Sequence, residues 1–149
     1  MITFHVPGLP RPKGSTVAFR HSKTGRIVTR ASNADRLEPW EAVVRLAAKG
    51  AIREPLTGPV CVEVEFELPR PQGHYRSGKR AGEVRDSAPP LPTTKPDLDK
   101  LLRACLDALT GVAWGDDAQV VQAWCRKVYA LPRGPGATVR VGPADEPEP

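Results

Sequence analysis

The sequence predicts a single α/β (α+β) domain, a small mixed sheet with two main helices. Three observations carry that prediction. Residues 60–68, VCVEVEFEL, alternate strictly between apolar and acidic or small side chains, the two-residue period of a strand with one buried face. Leu98, Leu101, Leu102, Cys105, Leu106 and Leu109 recur at the i, i+3, i+4, i+7 spacing of a helix, and a second run of that kind surrounds Trp40. The 149 residues suffice for one core and are short for two.

Taken in order, Ile2 to Val6 read as a starting strand, followed by PGLPRPKGS, which its prolines and glycines make a loop. Residues 16–30 suit a hairpin turning at Lys23-Thr24-Gly25. Pro39 fits the first turn of a helix whose apolar positions are Trp40, Val43, Val44, Ala47 and Ala48, with Gly50 ending the run. In the strand 60–68, Glu63, Glu65 and Glu67 should form a solvated face. From Pro69 to Pro96 periodicity is lost among six prolines and three glycines, so a long, mobile, cationic loop is expected there. Gly111 is placed to cap the helix 98–109. Residues 118–130 and 137–141 read as two further strands. The domain so defined covers 1–142, and 143–149, with three acids and three prolines, reads as a disordered acidic tail.

Composition narrows the function. The net charge of +5 and a pI near 9.4 favour an anionic partner. Residues 1–30 contain six Lys or Arg and no acid. Cys61, Cys105 and Cys125 are odd in number and share no close spacing, which argues against disulfides or a zinc site and for buried thiols in a reducing cytoplasm. No apolar run reaches the roughly 18 residues of a membrane span, so no membrane partner is expected. His5, His21 and His74 have no ligand spacing and read as surface residues.

Four aspartates bracket the second helix: Asp97 and Asp99 at its start, Asp116 and Asp117 in the turn beyond it. An aspartate at an N-cap is stabilised by backbone N–H groups and the helix dipole, and needs no catalytic reason. That accounts for one carboxylate and poorly for four. If the turn 114–117 doubles back along the helix, the second pair can approach Asp97. Two or three aspartates with a substrate phosphate suffice for magnesium, a hard cation that takes oxygen ligands and keeps several waters. Asp107, on the polar face of the helix, reads as a tolerant surface residue.

The stretch KPDLDKLLRACLDALTGVAWGDDAQVV closely resembles the signature of RusA-type Holliday-junction resolvases, with its D-L-D opening, D-A-L helix end and W-x-D-D-x-Q-V turn. The early strand followed by P-x-P-K resembles that family's N-terminus, so the resemblance takes in most of the chain. It implies a small α/β homodimer, each subunit cutting one strand of a four-way DNA junction with Mg2+, for which Mn2+ could substitute. It also implies that Asp97, Asp99 and Asp117 are catalytic metal ligands, with the neighbouring Asp116 a further metal residue and Arg103 a catalytic one. Arg103 matches a position where the family has a functionally important lysine, and Lys100 stands where the pattern usually has asparagine. Arginine keeps the charge but cannot donate a proton at accessible pH, so its expected role is to hold a phosphate oxygen, or to pair with Asp99 one turn away. Arg11, Lys13, Arg76, Lys79, Arg80, Lys95 and Lys100 are then the residues expected to hold DNA phosphates.

Two other readings fit the same residues: a nuclease acting on flaps or forks, and a non-catalytic junction-binding module. A restriction-enzyme-like core is disfavoured, because the strand 119–129 offers no acidic-x-Lys.

Overall fold

In the computed structural model, which describes residues 1–145, the chain runs β1 (Ile2–Pro7), β2 (Thr16–Arg20), β3 (Ile27–Ala31), α1 (Ala34–Ala51), β4 (Val60–Leu68), α2 (Leu98–Leu109), β5 (Val120–Tyr129) and β6 (Gly136–Pro143). Three single-turn 3-10 helices lie at Gln72–His74, Gly78–Arg80 and Asp117–Gln119. The expected mixed sheet is four-stranded, ordered β1-β6-β4-β5; β4 and β5 are parallel and the other two pairings antiparallel. The parallel pair requires a long crossover, and the loop plus α2 supplies it. The hairpin β2–β3 pairs with nothing else and forms its own two-stranded sheet.

The alternation in β4 does what its period dictates. Val60, Val62, Val64 and Phe66 are fully buried against α1 and α2, in a core that includes Val6, Val44, Leu101, Leu109 and Trp114. Truncating a buried aromatic such as Phe66 costs on the order of 3–5 kcal/mol. On the opposite face Glu63 pairs with Arg140, and Glu65 with Arg126, each its neighbour in register. Glu67 departs from the expected solvated row. It is 1% exposed, accepts from Arg133 and lies 3.6 Å from His5 Nδ1, so burial is tolerated because two cation-capable groups from distant segments meet it. His5 is accordingly half-buried rather than on the surface.

Other expectations need correction. α1 starts at Ala34, five residues before Pro39, so the proline lies inside the helix; the helix also passes through Gly50 to Ala51. Its start is defined by the Asn33 carbonyl, which accepts from the N–H groups of Arg36 and Leu37. The segment 69–96 is not featureless: besides its two 3-10 turns, Arg76 N–H bonds the Glu83 carbonyl, Arg85 N–H bonds that of His74, and Arg70 stacks over Tyr129 at 4.0 Å. Of the three free thiols only Cys105 is buried, and burial pushes it up to about 12. Pro143 closes β6 and Ala144 N–H bonds the Pro59 carbonyl, so pairing continues past the expected start of the tail; the tail residues 146–149 lie outside the described residues.

Candidate active site

α2 forms as its spacing predicts, from Leu98 to Leu109, with Gly111 just beyond at φ +86°, a conformation that costs a side-chain-bearing residue far more. Asp97 occupies the N-cap position. Its carbonyl accepts from Leu101 N–H, but its carboxylate makes no capping bond. The side-chain cap that would account for an aspartate at this position is therefore absent, the helix dipole alone remains as a structural reason, and the side chain lines the cleft beside it.

That cleft, about 650 Å³, lies between the 9–16 loop, residues 32–33 and the head of α2. Its walls carry Arg11, Lys13, Lys95, Lys100 and Arg103, with Asp97 the one acidic lining residue. Two hydrogen bonds hold the basic loop in place: Lys13 N–H to the Lys100 carbonyl of α2 at 2.9 Å, and Asn33 Nδ2, at the head of α1, to the Pro12 carbonyl at 2.8 Å. Lys13 Nζ reaches Asp107 at 3.0 Å and Glu41 at 3.9 Å. Asp107 is thus half-buried in an ion pair, not the surface residue expected. Burial holds the Glu41 carboxyl above its ordinary range despite Lys13 and Arg45 beside it.

Asp99 is not among the residues that line the cleft and is exposed. It pairs with Lys100 at 3.2 Å, whose hydrogen bond holds its carboxyl below the usual range. The expected alternative partner, Arg103, makes no ion pair with it among the described residues, which leaves the guanidinium in the cleft wall.

The second pair sits at the other end of α2. Trp114 is fully buried and its Nε1 donates to Asp117 Oδ1 at 3.0 Å, which also accepts from Thr110 Oγ1. Asp116 caps the short 3-10 turn by accepting from Ala118 N–H at 2.8 Å, and Gln119 Oε1 accepts in return from Asp116 N–H at 3.0 Å. The turn therefore does not double back. Twelve helical residues separate Asp97 from this site, about 18 Å at the helical rise. Among the described residues no three His, Cys, Asp or Glu side chains gather closely enough to hold a metal ion. All-carboxylate oxygen donors suit magnesium, but one chain offers them in two separated halves and so does not by itself fit the ion.

The remaining predicted contacts divide. Arg76 pairs with Asp86 at 3.2 Å and Arg80 with Glu83 at 2.8 Å inside their own loop, whereas Lys79 has no ion-pair partner among the described residues. One residue of the site escaped sequence reasoning. Lys127 of β5 reaches back to the segment before Asp97, donating to the carbonyls of Thr94 at 2.7 Å and Pro96 at 3.0 Å.

No helix among the described residues is long and apolar enough to cross a membrane. A protein of Bacillus subtilis (strain 168), uncharacterized protein YqaN, is 36% identical over 75 residues, 50% of this chain; the chain spans about half, 52%, of that relative's length. The family model for endodeoxyribonuclease RusA matches residues 7–142, from the end of β1 almost through β6, and takes in the cationic cleft and both aspartate pairs. The chain belongs to the RusA endodeoxyribonuclease family.

Proposed function

We propose that the protein is a magnesium-dependent endodeoxyribonuclease that resolves four-way (Holliday) DNA junctions in recombination and repair by paired, symmetric incision. The observation that carries this reading is the cleft whose lining combines five cationic residues with the uncapped carboxylate of Asp97. Such a wall attracts phosphodiesters, and contacts of that kind add affinity without sequence information, so recognition is chiefly of branched shape. Arg11, Lys13, Lys95 and Lys100 hold backbone phosphates there, with Arg76, Lys79 and Arg80 as outer contacts. Arg103, permanently charged, donates N–H groups to a phosphate oxygen and moves no proton.

Asp97 and Asp99 are the ligands proposed at one end of α2, and Asp117, whose Oδ2 has no partner among the described residues, at the other, with Asp116 beside it. A magnesium ion, with manganese as a substitute, would polarise the phosphoryl oxygen and lower the pKa of a bound water. Since one chain separates these ligands, the centre is proposed to draw on two chains of a C2 homodimer. The sheet order supports this: β5 is an edge strand, with Val121 and Trp124 exposed. It runs antiparallel to α2, from the Asp117 end to Lys127 near Pro96. A second copy pairing antiparallel along that edge would bring its own Asp117 end toward the first chain's Asp97. Two composite centres related by a two-fold axis suit symmetric incision.

The deciding experiment is incubation with a mobile four-way junction, with and without Mg2+, read on a denaturing gel beside flap and fork substrates. Paired incision of the junction, dependent on the cation, is expected. Cleavage of flaps or forks alone, or binding without any cleavage, would transfer the protein to one of the other two readings.

A further inference from the structure

We infer that Lys127 is a positioning residue for Asp97, an inference that rests on the nuclease reading only for its effect on cleavage. In the β5 register Cys125, Lys127 and Tyr129 stand opposite Val64, Phe66 and Leu68, all buried under the helices. A lysine on that apolar side must carry its ammonium to polar partners, because leaving the charge unsatisfied there is expensive. It finds two carbonyls, Thr94 at 2.7 Å and Pro96 at 3.0 Å, which flank Lys95 and end one residue before Asp97.

The chain at this point has few other restraints. From Ala81 to Pro96 there is no strand or helix of any kind, and regular structure resumes at Leu98. Asp97 itself contributes no capping bond that would fix its side chain. On its C-terminal side Asp97 is held through the Leu101 N–H and through the bond from Lys13 to Lys100. On its N-terminal side the Lys127 ammonium ties the backbone to the central sheet. The clamp thus transfers the rigidity of β5 to a carboxylate that lies on a loop-helix junction, and its two carbonyl partners can be solvated if it is lost. A misplacement of about 1 Å at a reacting centre can cost on the order of 10²-fold in rate.

The test compares the full-length parent with Lys127→Met, which keeps the apolar stem, and Lys127→Arg, which can still donate to two carbonyls. Melting temperature, hydrogen exchange of peptides covering residues 92–102, and single-turnover cleavage of a mobile junction with Mg2+ are measured on each. Lys127→Met should keep its melting temperature within a few degrees, exchange faster only in that segment, and cleave roughly 10- to 100-fold more slowly with junction affinity unchanged. Lys127→Arg should recover most of both losses. Parental exchange and parental cleavage in Lys127→Met would overturn the inference. Global loss of protection in both variants would overturn it too, making Lys127 a residue of the fold. If the parent cuts no branched DNA while Lys127→Met loosens the segment locally, the clamp stands and the nuclease reading falls.

Discussion

At the head of α2, Asp97 lies among five cations and makes no capping bond; at its foot, Asp117 accepts from Thr110 and the buried Trp114, while Asp116 caps the next turn. The four side chains are chemically alike, yet only the second pair is hydrogen-bonded to the fold around it, Asp99 pairing with its neighbour Lys100 and Asp97 with nothing among the described residues. A carboxylate that lines a cationic cleft and makes no side-chain capping bond is free to meet a ligand from outside the chain. One bound to a buried indole has a structural task that any functional role must share.

The largest expected effect follows from the head of the helix. Asp97→Asn should fold like the parent, because asparagine suits an N-cap as well as aspartate does. Its junction cleavage should nevertheless fall by several orders of magnitude. Metal-free junction binding should persist or tighten, since a negative charge beside phosphates has been removed. Near-parental cleavage on the same gel would show that the two ends do not differ in the way described.

Mixing variants probes whether the ends cooperate across two chains. Asp97→Asn and Asp117→Asn should each be inactive alone. A mixed dimer would contain one doubly altered centre and one intact centre, so co-refolded mixtures should recover single-strand nicking without paired incision. If each chain used only its own four aspartates, every centre in the mixture would carry a lesion and no nicking would return.

Stability separates the ends in the opposite sense. Asp117→Ala leaves the buried Trp114 indole N–H without its acceptor, while the Thr110 hydroxyl keeps the Leu106 carbonyl at 3.0 Å, and should lower stability by about 1–3 kcal/mol. Asp97→Ala removes no side-chain capping bond and should stay within about 0.5 kcal/mol of the parent. Denaturant titration reads both, and equal losses would contradict the contrast.

The smallest effect concerns Glu41, which lies 3.9 Å from the cleft residue Lys13. Glu41 has its carboxyl raised from 4.5, first by burial. The folded chain therefore binds this proton more tightly than the unfolded one, and stability is lost as pH rises from about 4.5 through the raised value. Glu41→Gln should abolish that component. The stability of the variant relative to the parent should grow across this window and be flat below it, as melting temperatures at successive pH values would show.

How far sequence reasoning reached depends on the range of the interactions involved. α2 was legible to the residue, because apolar spacing, the aspartate before it and Gly111 after it are local signals. The β4 alternation was legible for the same reason, but Glu67 was not, since Arg133 and His5 reach it from segments far apart in the chain. The start of α1 is not legible locally, because Pro39 suits a first turn whereas the Asn33 carbonyl sets the boundary. At the candidate site the residue types were readable and the separation of the pairs was not; that depended on whether the turn after Gly111 folds back, which Thr110 and Trp114 decide. Lys127 left a faint signal, a cation in phase with apolar neighbours on one side of a strand.

The place of β6 in the sheet has a consequence for biosynthesis. It is inserted between β1 and β4, pairing Ile2 with Val141 on one side and Val62 with Val141 on the other. During translation β1 and β4 therefore emerge with open edges facing a gap that is filled only when residues 136–143 leave the ribosome. A nascent chain arrested before Gly136 would lack the middle of its sheet rather than a margin, exposing two apolar strands at once, and should depend on chaperones until the last strand arrives.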